Sequence, residues 1–372
     1  MDIVASELEK RHSTIKVQYD LKGNKHDVHF RNLSGGDLAC TNEAVIAGGL
    51  LPCMRTGAQT IRVEGPVSAA FMAGLSTIQD IFRCWDDTFQ RVDIEADEVV
   101  NYSGNPKNRV GTFFSGGVDS FYTLVKHREE ITDLIFMHGM DIRLHNEYLR
   151  KETSDSIHKI AEAFGMQVTE IETNLRTLLD SHVRWNTYGH GAFIAATGHL
   201  LSHKLNKIYI PASHTYADMH PCGTHPVLDH LWGTETLEFV HDGCEATRVE
   251  KVARISEYDV VLEHLRVCWQ NVDGTYNCGI CEKCIRTMIN LKVNGVLERS
   301  RSFNVKTDIH AYLKQAKVTK YNREFFVENY KALKKNGTDP ELETVLENLL
   351  KPPTFLQKIG KRVRKRFRRL LR

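Results

Sequence analysis

No apolar run in this 372-residue sequence reaches the roughly 18 residues that a helix needs to span a bilayer. The N-terminal stretch, residues 1–10, also lacks the apolar core of a signal peptide. We therefore expect a cytoplasmic protein. Disulfides are rare in that compartment, so the nine cysteines indicate metal ligands or free thiols rather than a disulfide framework.

Acidic residues are missing from residues 351–372, which contain ten Lys and Arg. Without these ten, 39 Lys and Arg remain against 47 Asp and Glu, so residues 1–350 carry a net charge of −8 and give no evidence for a large nucleic-acid footprint. In the tail, apolar residues recur at every fourth position: Phe355, Ile359, Val363, Phe367 and Leu371. This basic amphipathic pattern over residues 355–372 predicts binding to an anionic membrane surface, binding to nucleic acid, or docking on the body or a partner.

One stretch joins a predicted buried strand, residues 110–114, to a predicted helix from about Asp119 through a Ser-Gly-Gly turn. The glycines let the backbone turn tightly and expose several N–H groups, and the helix directs its positive end at the same point. This predicts an anion site, to which Ser115 and Ser120 add hydroxyl donors. Asp119 suits such a site when it binds a divalent metal or caps the helix, which favours a magnesium-bound polyphosphate. We call Ser115–Ser120 the cradle.

A similar run of residues occurs upstream at Ser34-Gly35-Gly36-Asp37. Residues 29–33 before it mix polar and charged side chains and predict no buried strand, so we interpret this stretch as a turn alone. The cradle itself lacks the Walker A spacing and its terminal Lys-Ser/Thr, which argues against an NTPase that cleaves the γ-phosphate.

From Arg109 onward the sequence alternates predicted strands and helices, which is typical of an α/β domain with a mainly parallel sheet and helices on both faces. Ligands of such sheets bind beyond the carboxyl ends of the strands, which groups the cradle with residues 138–141 and 212–218. The predicted organisation has four parts: a smaller α+β domain (1–105) that ends in a Gly-Asn-Pro linker, the α/β domain (106–300), a helical extension (301–350) and the tail (351–372).

Charged and histidine-rich segments follow the fourth predicted strand of the α/β domain. Arg248 and Lys251 are candidates to stabilise charge on an α-phosphate, and a solvated charged face is the alternative. Just before them lie closely spaced residues of metal-binding types: His214, Asp218, His220, Cys222, His225 and His230. These are either polar loop residues or a second metal site.

Four cysteines follow the spacing Cys-x9-Cys-x2-Cys-x2-Cys: Cys268, Cys278, Cys281 and Cys284. Asp273-Gly274 predicts the turn that returns Cys268 to the other three. Four thiolates close a tetrahedral site without an open position, which predicts structural zinc. An iron–sulfur cluster also takes four cysteines and remains an alternative.

The strand followed by Ser-Gly-Gly-x-Asp-Ser resembles the PP-loop of the ATP pyrophosphatase superfamily, whose members split ATP into AMP and pyrophosphate. Together with the cysteine spacing, it resembles the 7-cyano-7-deazaguanine synthase family over residues 109–290. The resemblance implies that backbone groups near His138 contact adenine and that the cysteines bind Zn²⁺. It further implies that ATP and Mg²⁺ bind at Ser115, Gly116, Gly117, Val118, Asp119 and Ser120. The N-terminal domain and the basic tail are departures from that compact family, so the substrate is not implied.

We therefore predict an ATP-dependent adenylating enzyme that activates a small or macromolecular carboxylate or carboxamide for C–N bond formation. Asp119, Arg248 and Lys251 are its predicted catalytic residues. One alternative is a nucleobase- or tRNA-modifying thiolase with an iron–sulfur cluster. Another is a non-catalytic nucleotide-binding adaptor that the tail holds at a membrane surface. A homodimer is left open.

Overall fold

The computed structural model of the protein describes residues 2–4, 6–11, 13–104, 108–271, 274–303, 307–316, 318–319 and 322–351. Three predictions concern residues outside these ranges. They are the basic amphipathic pattern over residues 355–372, the centre of the linker at residues 105–107, and Asp273 of the predicted turn. Among the described residues, no helix is both long enough and apolar enough to cross a membrane.

Strands and helices alternate along most of the chain. The strands are β1 (Asp2–Val4), β2 (Ser6–Arg11), β3 (Thr14–Leu21), β4 (Asn24–Asn32), β5 (Thr60–Ser68), β6 (Asp93–Val100), β7 (Val110–Phe113), β8 (Asp133–His138), β9 (Gln167–Thr173), β10 (Lys207–Pro211) and β11 (Glu238–Asp242). The helices are α1 (Asn42–Thr56), α2 (Ala69–Trp85), α3 (Val118–Lys126), α4 (Glu147–Phe164), α5 (Leu175–His182), α6 (His190–His199), α7 (Arg248–Ile255), α8 (Asp259–His264), α9 (Glu282–Val293), α10 (Ile309–Gln315), α11 (Arg323–Asn336) and α12 (Pro340–Leu350). A π-helical turn, Trp185–Gly189, precedes α6.

Eight strands form one mixed sheet in the order β11-β10-β7-β8-β9-β4-β3-β2. The five strands from β11 to β9 are parallel to one another. This confirms the α/β class and the mainly parallel arrangement of the predicted domain. The sequence predicted four of the five parallel strands and missed β11, because this five-residue edge strand is largely polar and buries only Phe239 and Asp242.

The N-terminal region is divided between two sheets. Strands β3 and β4 form an antiparallel hairpin, and β4 then pairs antiparallel with β9, with Phe30 opposite Thr173. Strands β1, β5 and β6 form a separate, parallel three-stranded sheet. The sequence placed a domain boundary near residue 105, but residues from both sides of it share a sheet and a hydrophobic core.

Helices cover both faces of the large sheet. In β8, Leu134 and Phe136 belong to one core while Ile135 and Met137 belong to the other, as the two-residue period of a strand requires. The first core contains residues of α1, α2, α5 and α6, and the second contains residues of α3, α7, α9, α11 and α12. The predicted extension after residue 300 is helical as expected, and it packs into the second core.

Side-chain caps fix several helix ends. Ser68 caps α2 and Asn146 caps α4, each by accepting a hydrogen bond from a backbone N–H. Thr247 and Glu250 form a reciprocal capping box at the start of α7, which fixes the helix that carries Lys251.

Candidate functional site

The cradle connects β7 to α3 at the carboxyl end of the parallel sheet. Gly116 has a φ of +74°, a left-handed conformation that favours glycine, and Gly117 is the N-cap residue of α3. No side chain among the described residues caps α3. Its first backbone N–H groups and the positive end of its dipole therefore remain suited to an anion.

Two contacts hold the cradle in place. Gly116 O accepts a hydrogen bond from Arg266 N at 2.8 Å, which ties the turn to the loop before the cysteine cluster. Ser120 is buried, and its Oγ donates to Gly117 O at 3.0 Å. The Ser120 hydroxyl thus stabilises the turn in this structure, whereas the sequence predicted that it would donate a hydrogen bond to a bound anion.

A cleft of about 590 Å³ opens above the cradle. It is lined by the cradle, by Met140 and Asp141 after β8, and by Ser213 and His214 after β10. These are the three segments that the strand order predicted to meet. The other wall comes from α9 and α11, through residues that include Lys283, Arg286 and Phe325.

Asp119 lies at the centre of a group of cations. Its Oδ2 is 3.0 Å from an Arg248 guanidinium nitrogen, and its Oδ1 is 3.3 Å from Lys251 Nζ. Ser213 Oγ donates to the same Oδ2 at 3.2 Å. Lys251, which is almost fully buried, also donates to Ala212 O at 2.6 Å. The structure thus brings together the three residues that the sequence singled out as catalytic.

The cations keep Asp119 ionised. Burial by itself raises the pKa of this carboxyl, but Arg248 and Lys251 outweigh that effect and hold the pKa well below its usual range. Lys283 and Arg286 lower it further. Four cations therefore act on one carboxylate inside a cleft.

Sequence reasoning missed the cations of α9. Burial and the nearby Arg248 lower the pKa of Arg286 to about 10. Burial also lowers the pKa of Lys283, and although Asp141 opposes this effect, Arg286 adds to it. The sequence did contain a pattern that predicts this pair of cations. Lys283 and Arg286 are three residues apart and therefore lie on one face of α9, the helix that starts at the last two cysteines of the cluster.

Several buried donors in the cleft wall lack partners. Among the described residues, no hydrogen-bond partner exists for the Nε atoms of Arg248, Arg266 and Arg286, all of which line the cleft. Arg286 also stacks on the Phe325 ring, with 3.7 Å between the guanidinium carbon and the ring centroid. Clustered guanidinium donors of this kind suit phosphate oxygens.

The four predicted metal ligands converge. Their sulfur atoms lie within 4.8 Å of one another, and the Cys278–Cys284 and Cys268–Cys281 pairs are each separated by 4.0 Å. A tetrahedral zinc site with Zn–S bonds of about 2.3 Å needs sulfur atoms about 3.8 Å apart. Cys281 N donates to Cys278 Sγ at 3.3 Å, and Cys284 N donates to Cys281 Sγ at 3.4 Å. The cluster therefore fits a metal that takes four sulfur ligands.

This cysteine cluster lies next to the cradle. Cys268 follows Arg266 by two residues, and Arg266 N holds Gly116. Cys281 is the N-cap residue of α9, the helix that carries Lys283 and Arg286. A metal at the cysteines would thus fix both the loop under the cradle and the helix that supplies two of its cations.

The side chain of His138 does not line the cleft, whereas the predicted adenine contact involved backbone groups near this residue. Arg150 Nε donates to His138 Nδ1 at 3.1 Å, and His138 Nε2 lies 2.5 Å from Glu170. Phe136 and Met137 of the same strand do line the cleft. The imidazole is held in a buried ion-pair network because Glu170 of the neighbouring strand is directed toward it.

The histidine-rich segment separates into different environments. His225 packs edge-on against Trp85, and His230 is exposed, with its Nδ1 3.2 Å from Pro226 O. Cys222 lies 3.5 Å from His190 Nε2 at the cleft. His214 and His220 lie together, with ring centroids 4.3 Å apart. The third residue beside them, Glu324 of α11, has no local sequence pattern that links it to these histidines.

Comparison of the chain with protein-family models, with curated proteins and with solved structures finds no match. What the cleft can bind must therefore be judged from its own residues. These residues are an uncapped helix N-terminus behind a glycine turn, a group of buried cations around Asp119, and an adjoining cluster of four cysteines.

Proposed function

We propose that the protein is an ATP-dependent adenylating enzyme of the PP-loop type, which splits ATP into AMP and pyrophosphate. The observation that supports this most is the pairing of Asp119 with Arg248 and Lys251 at an uncapped helix N-terminus beyond the parallel strands, with Lys283 and Arg286 in the same cleft. A polyphosphate needs both the cations and the backbone amides, and its magnesium ion needs a carboxylate.

The cradle and the cations near it have separate roles in this proposal. The backbone amides at the start of α3 bind the β- and γ-phosphates, and the side chains of Lys283 and Arg286 bind the oxygens that become pyrophosphate. Arg248 and Lys251 stabilise the charge that develops as the α–β bond breaks. Mg²⁺ bound through Asp119 would neutralise part of the polyphosphate charge.

The activated group is a carboxylate or carboxamide. Its oxygen attacks the α-phosphorus, pyrophosphate leaves, and an adenylate is formed. Ammonia or another amine then attacks the activated carbon and displaces AMP, which forms a C–N bond. Binding of ATP and the carboxylate or carboxamide in one cleft would favour these reaction steps, because groups that are already bound react without a further encounter in solution.

The cysteine cluster supports the same assignment. A closed four-sulfur site beside a PP-loop is the combination that resembles the 7-cyano-7-deazaguanine synthase family, and we propose zinc as its metal. Zinc in such a site is structural, since four thiolates leave no position for substrate. In this chain it would hold Arg266 and α9 against the cradle.

Product analysis tests the proposed activity. Full-length protein is incubated with Mg²⁺, α-labelled ATP and a panel of carboxylates and carboxamides, each with and without ammonia. We expect AMP and pyrophosphate in equal amounts with a subset of the panel, and none with Asp119→Ala. ADP and phosphate as products, or unchanged turnover in Asp119→Ala, would contradict the proposal.

Metal analysis separates this function from a sulfur-transfer reaction. Protein purified without oxygen is analysed for zinc, iron and acid-labile sulfide. Zinc without iron or sulfide is expected, because the cysteine cluster then stabilises structure only. Iron and sulfide in comparable amounts would instead favour the thiolase.

A further inference from the structure

Three side chains from two distant segments meet at the edge of the cleft. His214 follows β10, His220 lies six residues later in the same loop, and Glu324 comes from the first turn of α11. One nitrogen or oxygen atom of each residue lies within 4.8 Å of the corresponding atoms of the other two. All three side chains are partly buried. One metal ion could contact all of them.

Two buried atoms of the site face each other. His214 Nδ1 lies 2.8 Å from Glu324 Oε1, which is within ion-pair distance. Neither atom has a partner with hydrogen-bond geometry among the described residues. Two buried polar atoms that approach closely without a hydrogen bond between them suit a third centre that both can contact.

His220 has the proton placement that a metal ligand needs. Its Nδ1 lies 3.0 Å from Asp218 O, so this nitrogen carries the proton and donates to the carbonyl. The lone pair is then on Nε2. The His214 ring is positioned by Phe325, whose ring centroid is 5.8 Å away. Backbone carbonyls and packed rings of this kind orient the histidine ligands of metal sites.

Charges of both signs lie near the site. Glu328 interacts electrostatically with the carboxylates of Asp218 and Glu324 and with Arg248, and Arg286 interacts with Glu324. The site lies at the substrate cleft, because His214 and His220 both line it and Ser213, next to His214, donates to Asp119.

We propose that His214, His220 and Glu324 bind one divalent transition metal ion, with zinc as the best match. Two imidazoles and one carboxylate leave an open position on a tetrahedral ion, as in catalytic zinc sites. Because His214 and His220 line the cleft, an exchangeable water or a carbonyl oxygen of the substrate can take that position. The site is separate from the four-cysteine cluster and does not depend on the proposed adenylation.

Metal stoichiometry tests this site without any assay of activity. Full-length protein is dialysed against Zn²⁺ in an amount one equivalent greater than the cysteine cluster needs. It is then passed through a desalting column and analysed for metal. The wild type is expected to hold two zinc ions. His214→Gln and Glu324→Gln are expected to hold one, with at least about a 100-fold loss of affinity for the second ion, since even loss of an orienting partner costs about 10- to 100-fold.

His230→Gln is the matched control, because it removes an exposed histidine from the same segment and should leave two zinc ions bound. Cobalt substitution then distinguishes the sites, since only the cysteine cluster gives a thiolate-to-cobalt charge-transfer band. That band should persist in His214→Gln and Glu324→Gln, which also shows that these variants remain folded. Equal zinc binding by wild type, His214→Gln and His230→Gln would overturn the proposal, whatever metal the cysteine cluster holds.

Discussion

The molecule contains two Ser-Gly-Gly turns whose first glycines have similar φ values and whose surroundings differ. In the first, Ser34-Gly35-Gly36, the φ of Gly35 is +81°. In the second, Ser115-Gly116-Gly117, the φ of Gly116 is +74°. Each turn follows a strand of the same sheet. The short sequence and the backbone angle therefore do not distinguish a turn from an anion site.

The surroundings make the difference. At the first turn, Ser34 N donates to Asn32 Oδ1, and Ser34 Oγ accepts from Glu170 N. No helix begins until Asn42, and that helix is capped by Thr41. At the second turn an uncapped helix begins at once, Arg248 and Lys251 contact Asp119, and Lys283 and Arg286 line the same cleft. An anion site needs the helix, the free amides and the cations together.

The largest expected difference between the turns is in ATP turnover. Asp119→Ala should lower the rate of AMP and pyrophosphate formation by at least about 100-fold, because it removes the magnesium ligand and leaves buried cations unpaired. Asp37→Ala makes the same change in the upstream turn and should leave the rate within about twofold. Equal losses in both variants would remove the functional distinction between the turns.

Loss of the metal should loosen only the second turn. Cys281→Ser is expected to release the metal and to lower the free energy of unfolding by several kcal/mol, on the order of 3 to 5, since metal binding contributes to folding. Hydrogen exchange should increase at Gly116 and along α9 and stay unchanged at Ser34. Cys84→Ser, a change at an exposed cysteine, should alter neither quantity. Equal increases at both turns would show that the metal stabilises the fold without any special effect on the cradle.

A methyl group at either left-handed glycine should cost a similar amount of stability. Gly116→Ala and Gly35→Ala should each lower the free energy of unfolding by about 1 to 2 kcal/mol, because alanine is strained at such φ values. Only Gly116→Ala should also weaken binding of Mg²⁺–ATP, by about tenfold, as a distorted turn misdirects the amides. Chemical denaturation and calorimetry measure the two effects separately. Weaker ATP binding in Gly35→Ala would contradict the comparison.

The smallest effect concerns pH. The native pKa of Asp119 lies below that of the unfolded chain, so its ion pairs stabilise the protein above the unfolded value and are lost as pH falls toward the native value. We expect the stability advantage of wild type over Asp119→Asn to shrink by about 1 to 2 kcal/mol between pH 6 and pH 3. Urea unfolding at several pH values measures it. An advantage independent of pH would mean that Asp119 is not held ionised by its cations.

Local sequence patterns predicted the parts of this structure that depend on neighbours in sequence. Strand β7, the start of α3 and the cysteine cluster are each determined by residues within about 20 positions, and the structure places them as expected. The side-chain direction of His138 was not predictable, because it depends on Glu170 in a strand that is distant in sequence.

The other features that were missed depend on pairing across long sequence separations. Strand β11 exists because β10 offers it a parallel edge, and its own residues carry little strand signal. Glu324 reaches His214 from more than 100 residues away. The pairing of β4 with β9, which removes the predicted separation at residue 105, likewise has no local signature.

Calorimetric titration of full-length protein with Mg²⁺–ATP and with Mg²⁺–pyrophosphate tests the central claim most directly. If the cradle binds a polyphosphate, wild type should bind each ligand with a dissociation constant between about 1 μM and 1 mM. Asp37→Ala should bind each ligand with the same affinity as wild type. Asp119→Ala should bind both at least about tenfold more weakly. No binding to wild type at millimolar ligand, or equal binding by Asp119→Ala, would contradict the account.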